Sequence, residues 1–175
     1  MAYLVTPYAR ISYPRVFEPV ADDNGKLKYS ATLVFYPAEQ KTPEFAALRA
    51  DLKRVLQEKF PNGKIPGSFR ADPFLDGEEK GHEAGTVVLR VSSIRKPGIV
   101  DQQRRPVVEA DRIYPGCWVR ATVNCYVYDN PKNKGATFGL GNIQFVKDDE
   151  PFAGARRAED DFGVLEADTG VDLPF

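Results

Sequence analysis

Between Gly116 and Tyr128 the residues divide by parity into two chemically different sets. One set reads Cys117, Val119, Ala121, Val123, Cys125 and Val127, small and apolar without a break. The other reads Trp118, Arg120, Thr122, Asn124, Tyr126 and Tyr128, in which large rings alternate with a guanidinium and hydrogen-bonding groups. Successive side chains of a strand point to opposite faces, so the first set is a core face and the second stands outside. Rings on the outside of a sheet need a partner that the sheet does not supply. An unstacked nucleobase is one, since stacking on an aromatic side chain is worth roughly 1–3 kcal/mol per base whatever the base. Arg120 adds a group that can pair with a phosphate or lie flat on a base.

Other segments repeat the device. Tyr8, Arg10 and Ser12 share one parity; Lys28, Ser30, Thr32 and Tyr36 share one in the next segment, and Arg90 and Ser92 in a third. The alternate positions are apolar in each case: Ala9 and Ile11; Ala31, Leu33 and Phe35; Val87, Leu89 and Val91. Only unpaired bases offer their π-faces, so rings and bases interleaved on one surface suit single-stranded nucleic acid better than duplex. Basic turn residues, Lys26, Arg104, Arg105, Lys132 and Lys134, would follow the phosphates. The structural alternative packs these rings beneath a helix, under a long loop, or in a homodimer interface.

The elements that must position these residues are mostly strands. Tyr3 to Phe17 is aromatic and β-branched, with Pro7 and Pro14 marking edges or bends. A turn at Asp22-Asp23-Asn24-Gly25 leads into a strand from Leu27 to Tyr36. Thr42 suits a helix N-cap and Pro43 the first helical position; Phe45, Leu48, Leu52, Val55 and Leu56 then recur at helical spacing until Pro61-Asn62-Gly63. A long glycine-rich stretch, 62–84, precedes a strand from Thr86 to Ile94. A short pair, Ile99-Val100 and Val107-Val108, brackets the basic loop 101–106, and Gly116–Tyr128 with Ala136–Val146 forms a last hairpin. Gly139 and Gly141 within it indicate a bulge or a close backbone approach. The fold class expected is mainly β: a small antiparallel barrel with one α-helix at about 43–60.

Charge divides the chain. It has 25 acidic and 24 basic residues, but nine acids and only two bases fall at or after Asp148, a net of −7 there against +6 before it. The last eighteen residues hold six carboxylates and no base, and end on Leu173-Pro174-Phe175. A basic body with an acidic tail is a frequent charge plan in proteins that handle a polyanion. The expected division is a nucleic-acid-binding domain, 1–150, and a disordered acidic tail, 151–175.

Other classes are disfavoured. No apolar run of about 18 residues spans a membrane, and the N-terminus lacks the basic and apolar regions of a secretory signal. Cys117 and Cys125, eight residues apart on one strand, would lie roughly 26 Å apart, too far for a disulfide, and read as buried free thiols. No nucleophile–base pair, zinc spacing or phosphate-binding glycine loop occurs, so neither an enzyme nor a cofactor is expected. A metal-dependent nuclease using Asp72, Asp76, Glu78, Glu79, His82 and Glu83 is the enzymatic rival, but these residues read as a solvated acidic loop.

Five ordered motifs carry a resemblance: Asp76-Gly77-Glu78-Glu79-Lys80, Ile113 through Val119, Tyr126 through Asn130, Gly135 through Leu140, and Asn142 through Lys147. Together they resemble a family of bacteriophage single-stranded-DNA-binding proteins, over about Leu27 to Phe152. The resemblance implies an OB-fold that binds single strands without strong sequence preference, in phage replication or recombination in the host cytoplasm. The tail is similar in kind to the acidic C-termini of such binders. Its Asp160, Asp161, Asp168, Asp172 and Phe175 would compete for the groove and dock replication partners. The helix falls after the second strand, unlike the usual OB-fold. A structural phage β-barrel assembly protein is the remaining alternative.

Overall fold

Among the described residues, alternating apolar residues and one amphipathic run produce nine strands and one α-helix. The structure, a computed structural model, describes residues 3–152 and 162–165. The strands are β1 (Leu4–Val5), β2 (Ala9–Ala21), β3 (Leu27–Phe35), β4 (Phe69–Arg70), β5 (Leu75–Asp76), β6 (Val87–Ser93), β7 (Ile99–Val100), β8 (Trp118–Asp129) and β9 (Lys134–Lys147). The helix, α1 (Pro43–Lys59), lies between β3 and β4. Its N-cap is Thr42, whose hydroxyl accepts from the Phe45 N–H at 3.2 Å, and Pro43 opens the first turn.

Five strands close a ring in the order β8-β2-β3-β6-β9, with β9 returning to β8. Numbered along the chain, the ring runs first, second, third, fifth, fourth and back to first, as in an OB-type barrel. Its joints are antiparallel except one: β6 and β9 run parallel, with Val91 beside Phe138 and Ser92 beside Gly139. The expected mainly antiparallel, OB-fold-like barrel is present, and this joint is its one parallel pairing within the ring. A hairpin joins β8 to β9, so once β8 has crossed to β2, β9 meets β6 running the same way. The ring is also uneven, with short β1 added on β8, β5 on β6, and β4 and β7 parallel to β9.

The core lies inside the ring and holds the expected apolar faces, among them Ile11, Leu33, Phe35, Leu89, Val91, Val119 and Val123. The apolar stripe of α1 (Phe45, Leu48, Leu52 and Val55) is buried in the same core. Phe45 meets Phe35 and Phe74 edge to face, both at 5.3 Å, and Phe74 meets Phe138 at 5.6 Å. The helix thus joins the barrel's core, while on the outer face Val34 and Val88 are buried too and the rings and arginines stand around them. Cys117 and Cys125 are buried and free, and burial pushes each thiol up to about 11. No described helix is long and apolar enough to cross a membrane.

Candidate nucleic-acid interface

On the outer face, register builds rows of side chains across strands. One row runs Lys147, Trp118, Arg10, Val34 and Val88 across β9, β8, β2, β3 and β6. The next places Ser12, Thr32 and Arg90 side by side, and the one beyond it Arg15, Ser30 and Ser92. The last row breaks strict alternation. From Ser12 to Arg15 β2 advances three residues while β3 advances two, so the strand carries a bulge. Past it Arg15 takes the outer face, although its parity is that of core residue Ile11, and Val16 turns inward, 1 % exposed.

Tyr13 sits inside the bulge with φ at 48°, a left-handed backbone that a bulky residue rarely adopts. It is 67 % exposed. Such strain persists only where the surroundings over-determine it, and it concentrates at functional sites. Counting parity through Pro14 assigns Tyr13 and Arg15 to the core, so both escape the sequence reading; the proline inside the run is the signal that marks the break.

Three hollows adjoin along this face. The first, about 550 Å³, lies between Arg10, Ser12, Tyr13 and Tyr36 on the barrel and Lys80 to Glu83 on the loop before β6. Tyr13 divides it from the second, about 260 Å³, lined by Arg15, Ser30, Thr32 and Arg90. The third, about 170 Å³, continues past Arg15 and Arg90 to Lys28 and Ser92. Five basic residues (Arg10, Arg15, Lys28, Lys80 and Arg90) line the groove against two acidic ones, Asp22 and Glu83. Lys28 pairs with Asp22 at 3.3 Å. Arg15 and Arg90 have no carboxylate partner among the described residues. Burial, then the Arg10 charge, lowers the pKa of His82 and favours its neutral form.

Trp118 stands at the head of the groove. Its ring lies 5.6 Å from that of Tyr36, and the Lys147 ammonium is 5.1 Å from its centre. The indole N–H donates to Asp149 Oδ2 at 2.8 Å. That bond and one from the Glu150 N–H hold the Asp149 carboxyl below the usual carboxylate range, with further help from Arg10 and Lys147.

The predicted residues form two groups. Arg10, Lys28, Tyr36 and Arg90 lie along the groove, with Trp118 at its end. Arg120, Tyr126 and Tyr128 continue down the outer face of β8, where Arg120 donates to Gln144 Oε1 at 2.8 Å. Tyr8, half exposed, precedes β2 on the side that faces β8. Gln144 in turn donates to the carbonyl of Asp101, which ties the loop of Arg104 and Arg105 to this second group. Tyr126 and Tyr128 lie close over Gly139 and Gly135: a Cβ at 139 would stand 3.4 Å from Tyr126, and one at 135 would stand 2.6 Å from the Tyr128 hydroxyl. Lys132 and Lys134 sit at the β8–β9 turn, roughly 33 Å along the strand from Trp118, and not beside the groove. The tail positions Asp160, Asp161, Asp168, Asp172 and Phe175 lie outside the described residues.

The acidic loop does not assemble a metal centre. Asp72 pairs with Arg49 at 3.2 Å, and Asp76 accepts from the Glu78 N–H. No three His, Cys, Asp or Glu side chains come together to hold a metal among the described residues.

Comparison with known proteins agrees with this architecture. Residues 2–173 match the model of a family described as Enterobacter phage Enc34, ssDNA-binding protein. Protein p50 of Acyrthosiphon pisum secondary endosymbiont phage 1 is 33 % identical over 172 residues, covering 90 % of this chain and 92 % of the relative. The fold is similar to that of the single-stranded DNA-binding protein from bacteriophage Enc34 in complex with ssDNA. The TM-score is 0.68 at 23 % identity, over 85 % of this chain and 88 % of that one. It is also similar to gp2.5, a single-stranded DNA-binding protein encoded by bacteriophage T7, with a TM-score of 0.61 at 13 % identity over 90 % and 98 % of the two chains. With so much of its length matched by the family model, this chain belongs to the Enc34 single-stranded-DNA-binding protein family.

Proposed function

We propose that this chain binds single-stranded DNA without strong sequence preference, laying the strand across β2, β3 and β6 with bases against Tyr13, Tyr36 and Trp118. The observation that carries this reading is the row of three adjoining hollows lined by tyrosines and by two arginines without carboxylate partners. The arginines neutralise phosphates and release counterions, a term that ignores sequence. The rings add stacking, which also ignores sequence and is open only to unpaired bases. Duplex DNA, its bases stacked on one another, gains the first term and loses the second. The face of β8 with Arg120, Tyr126 and Tyr128 continues the path beyond Trp118 for longer strands.

Tyr13→Ala isolates the stacking term. Alanine keeps the Cβ, so the strained backbone is unchanged and only the ring leaves. Oligo-dT affinity falls by about 1–3 kcal/mol with the salt slope unaltered, as read by titration of a labelled oligonucleotide at two ionic strengths. An unchanged affinity would remove Tyr13 from the interface.

The tail fits the same reading as a competitor. Tethered to the body, a segment with six carboxylates and no base acts on the groove at high effective concentration. DNA would displace it, freeing Phe175 to engage replication or recombination proteins in the cytoplasm of the infected host. Deleting Ala158 to Phe175 therefore tightens oligo-dT binding several-fold and reduces discrimination against duplex. Equal affinity with and without these residues would end the competitor role.

A further inference from the structure

Before the tail begins, the chain folds back over the head of the groove. Asp148 to Phe152 is anchored on one side by Tyr114, whose hydroxyl donates to Asp148 Oδ1 and accepts from the Asp149 N–H. The Phe152 N–H donates to the Pro115 carbonyl at 3.1 Å. Gly116, with φ at 112°, makes room: a Cβ there would stand 2.6 Å from the Glu150 carbonyl oxygen.

On its other side the segment meets Arg10. Asp149 Oδ2 lies 3.7 Å from Arg10 Nε and accepts from Trp118, and the Arg10 guanidinium lies 4.4 Å from the centre of the Phe152 ring. His82 closes on the same ring edge to face at 5.1 Å. An anionic oxygen and, a short way along, a flat ring are the two groups that one nucleotide presents, a phosphate oxygen and a base. Arg10 serves both here, one through its charge and the other through its face. Its side chain is only 12 % exposed, so an incoming strand cannot reach it while Asp149 and Phe152 are seated.

We propose that Arg10, Trp118 and His82 form a nucleotide subsite for single-stranded DNA, and that Asp148–Phe152 occupies it as a nucleotide mimic which the strand must displace. The inference rests on the DNA-binding reading above and is distinct from competition by the tail: the mimic is a short, ordered segment at one address. Entry of DNA exchanges the Asp149 carboxylate for a phosphate and the Phe152 ring for a base. Release of the segment also frees the root of the tail, so occupation of this subsite is coupled to tail exposure.

The test uses the full chain and a dye-labelled dT oligonucleotide read by anisotropy. Asp149→Asn, nearly isosteric and without folding hazard, binds about threefold tighter. Asp149→Asn combined with Phe152→Ala binds about tenfold tighter, the combined scale of an exposed ion pair and a cation–π contact. Trp118, the only tryptophan, gives a second reading: on binding dT, wild-type emission shifts in the direction already shown by free Asp149→Ala, which has no acceptor for the indole N–H, because the same indole bond is lost. Equal or weaker binding by Asp149→Asn, or wild-type emission that does not move, overturns the proposal and makes the segment a fixed wall of the site. Failure of the wild type to bind dT at all is a different result, which removes the DNA-binding reading and this inference with it.

Discussion

A chain carrying Arg15→Ala and Arg90→Ala binds oligo-dT roughly 150-fold more weakly than the wild type and remains fully folded. Hydrogen bonds to a charged group contribute about 1.5 kcal/mol or more, and two such contacts at a half-open site account for that loss. Both side chains line the second and third hollows and lack a carboxylate partner among the described residues. Removing them therefore breaks no ion pair and leaves no buried acid behind. Neither holds the segment at Asp148–Phe152, so the effect is separable from displacement of that segment. The slope of log affinity against log salt falls in magnitude by about 1.4, at about 0.7 for each phosphate contact on single-stranded DNA. Equal slopes for the two chains would mean that these arginines touch no phosphate.

The second large effect is on stability. Phe138→Ala lowers the unfolding free energy by about 3–5 kcal/mol, the cost of losing a buried aromatic ring and leaving a cavity. Phe138 is fully buried and sits beside Val91 on β6, Cys125 on β8 and the ring of Phe74. Its ring therefore packs where the parallel joint closes the barrel, and little nearby can collapse into the space. Small domains carry only about 5–15 kcal/mol of stability, so urea unfolding shows a midpoint far below that of the wild type. Below that midpoint oligo-dT affinity is unchanged, because the ring faces inward. A loss under about 1 kcal/mol would mean that the core is not organised around this joint.

The strands and helix were legible because burial imposes a period. β3, β6 and β8 follow the alternation of apolar residues, β9 follows it on either side of a register shift between Leu140 and Ile143, and α1 begins at a capping threonine and a proline. The outer-face positions of Arg10, Arg90 and Trp118 followed from the same alternation. Tyr13 and Arg15 did not, because parity is counted along the chain and one extra residue in β2 reverses every later assignment. The parallel joint between β6 and β9 was also hidden, since no local pattern records which distant strand closes a ring. The Asp148–Phe152 segment straddles the boundary at 150 that the sequence suggests between domain and acidic tail, and nothing in its local pattern marks it as a separate feature. Its role in the structure depends on Arg10 and Trp118, which are far away in sequence and reach it only through the fold. Lys132 and Lys134, chosen for their charge, sit at the β8–β9 turn next to Tyr128 and not beside the groove, a placement that only the length of the hairpin decides.

The central claim is that unpaired bases lie against rings on the outer face of β2, β3 and β8, and photo-cross-linking tests it most directly. A dT oligonucleotide carrying single 5-iodo-deoxyuridine substitutions, irradiated in complex with the full chain and mapped by mass spectrometry, cross-links to Tyr13, Tyr36 and Trp118. Cross-links confined to the exposed surface of α1, or to Tyr3 and Tyr128 with none at Tyr13, Tyr36 or Trp118, would contradict it.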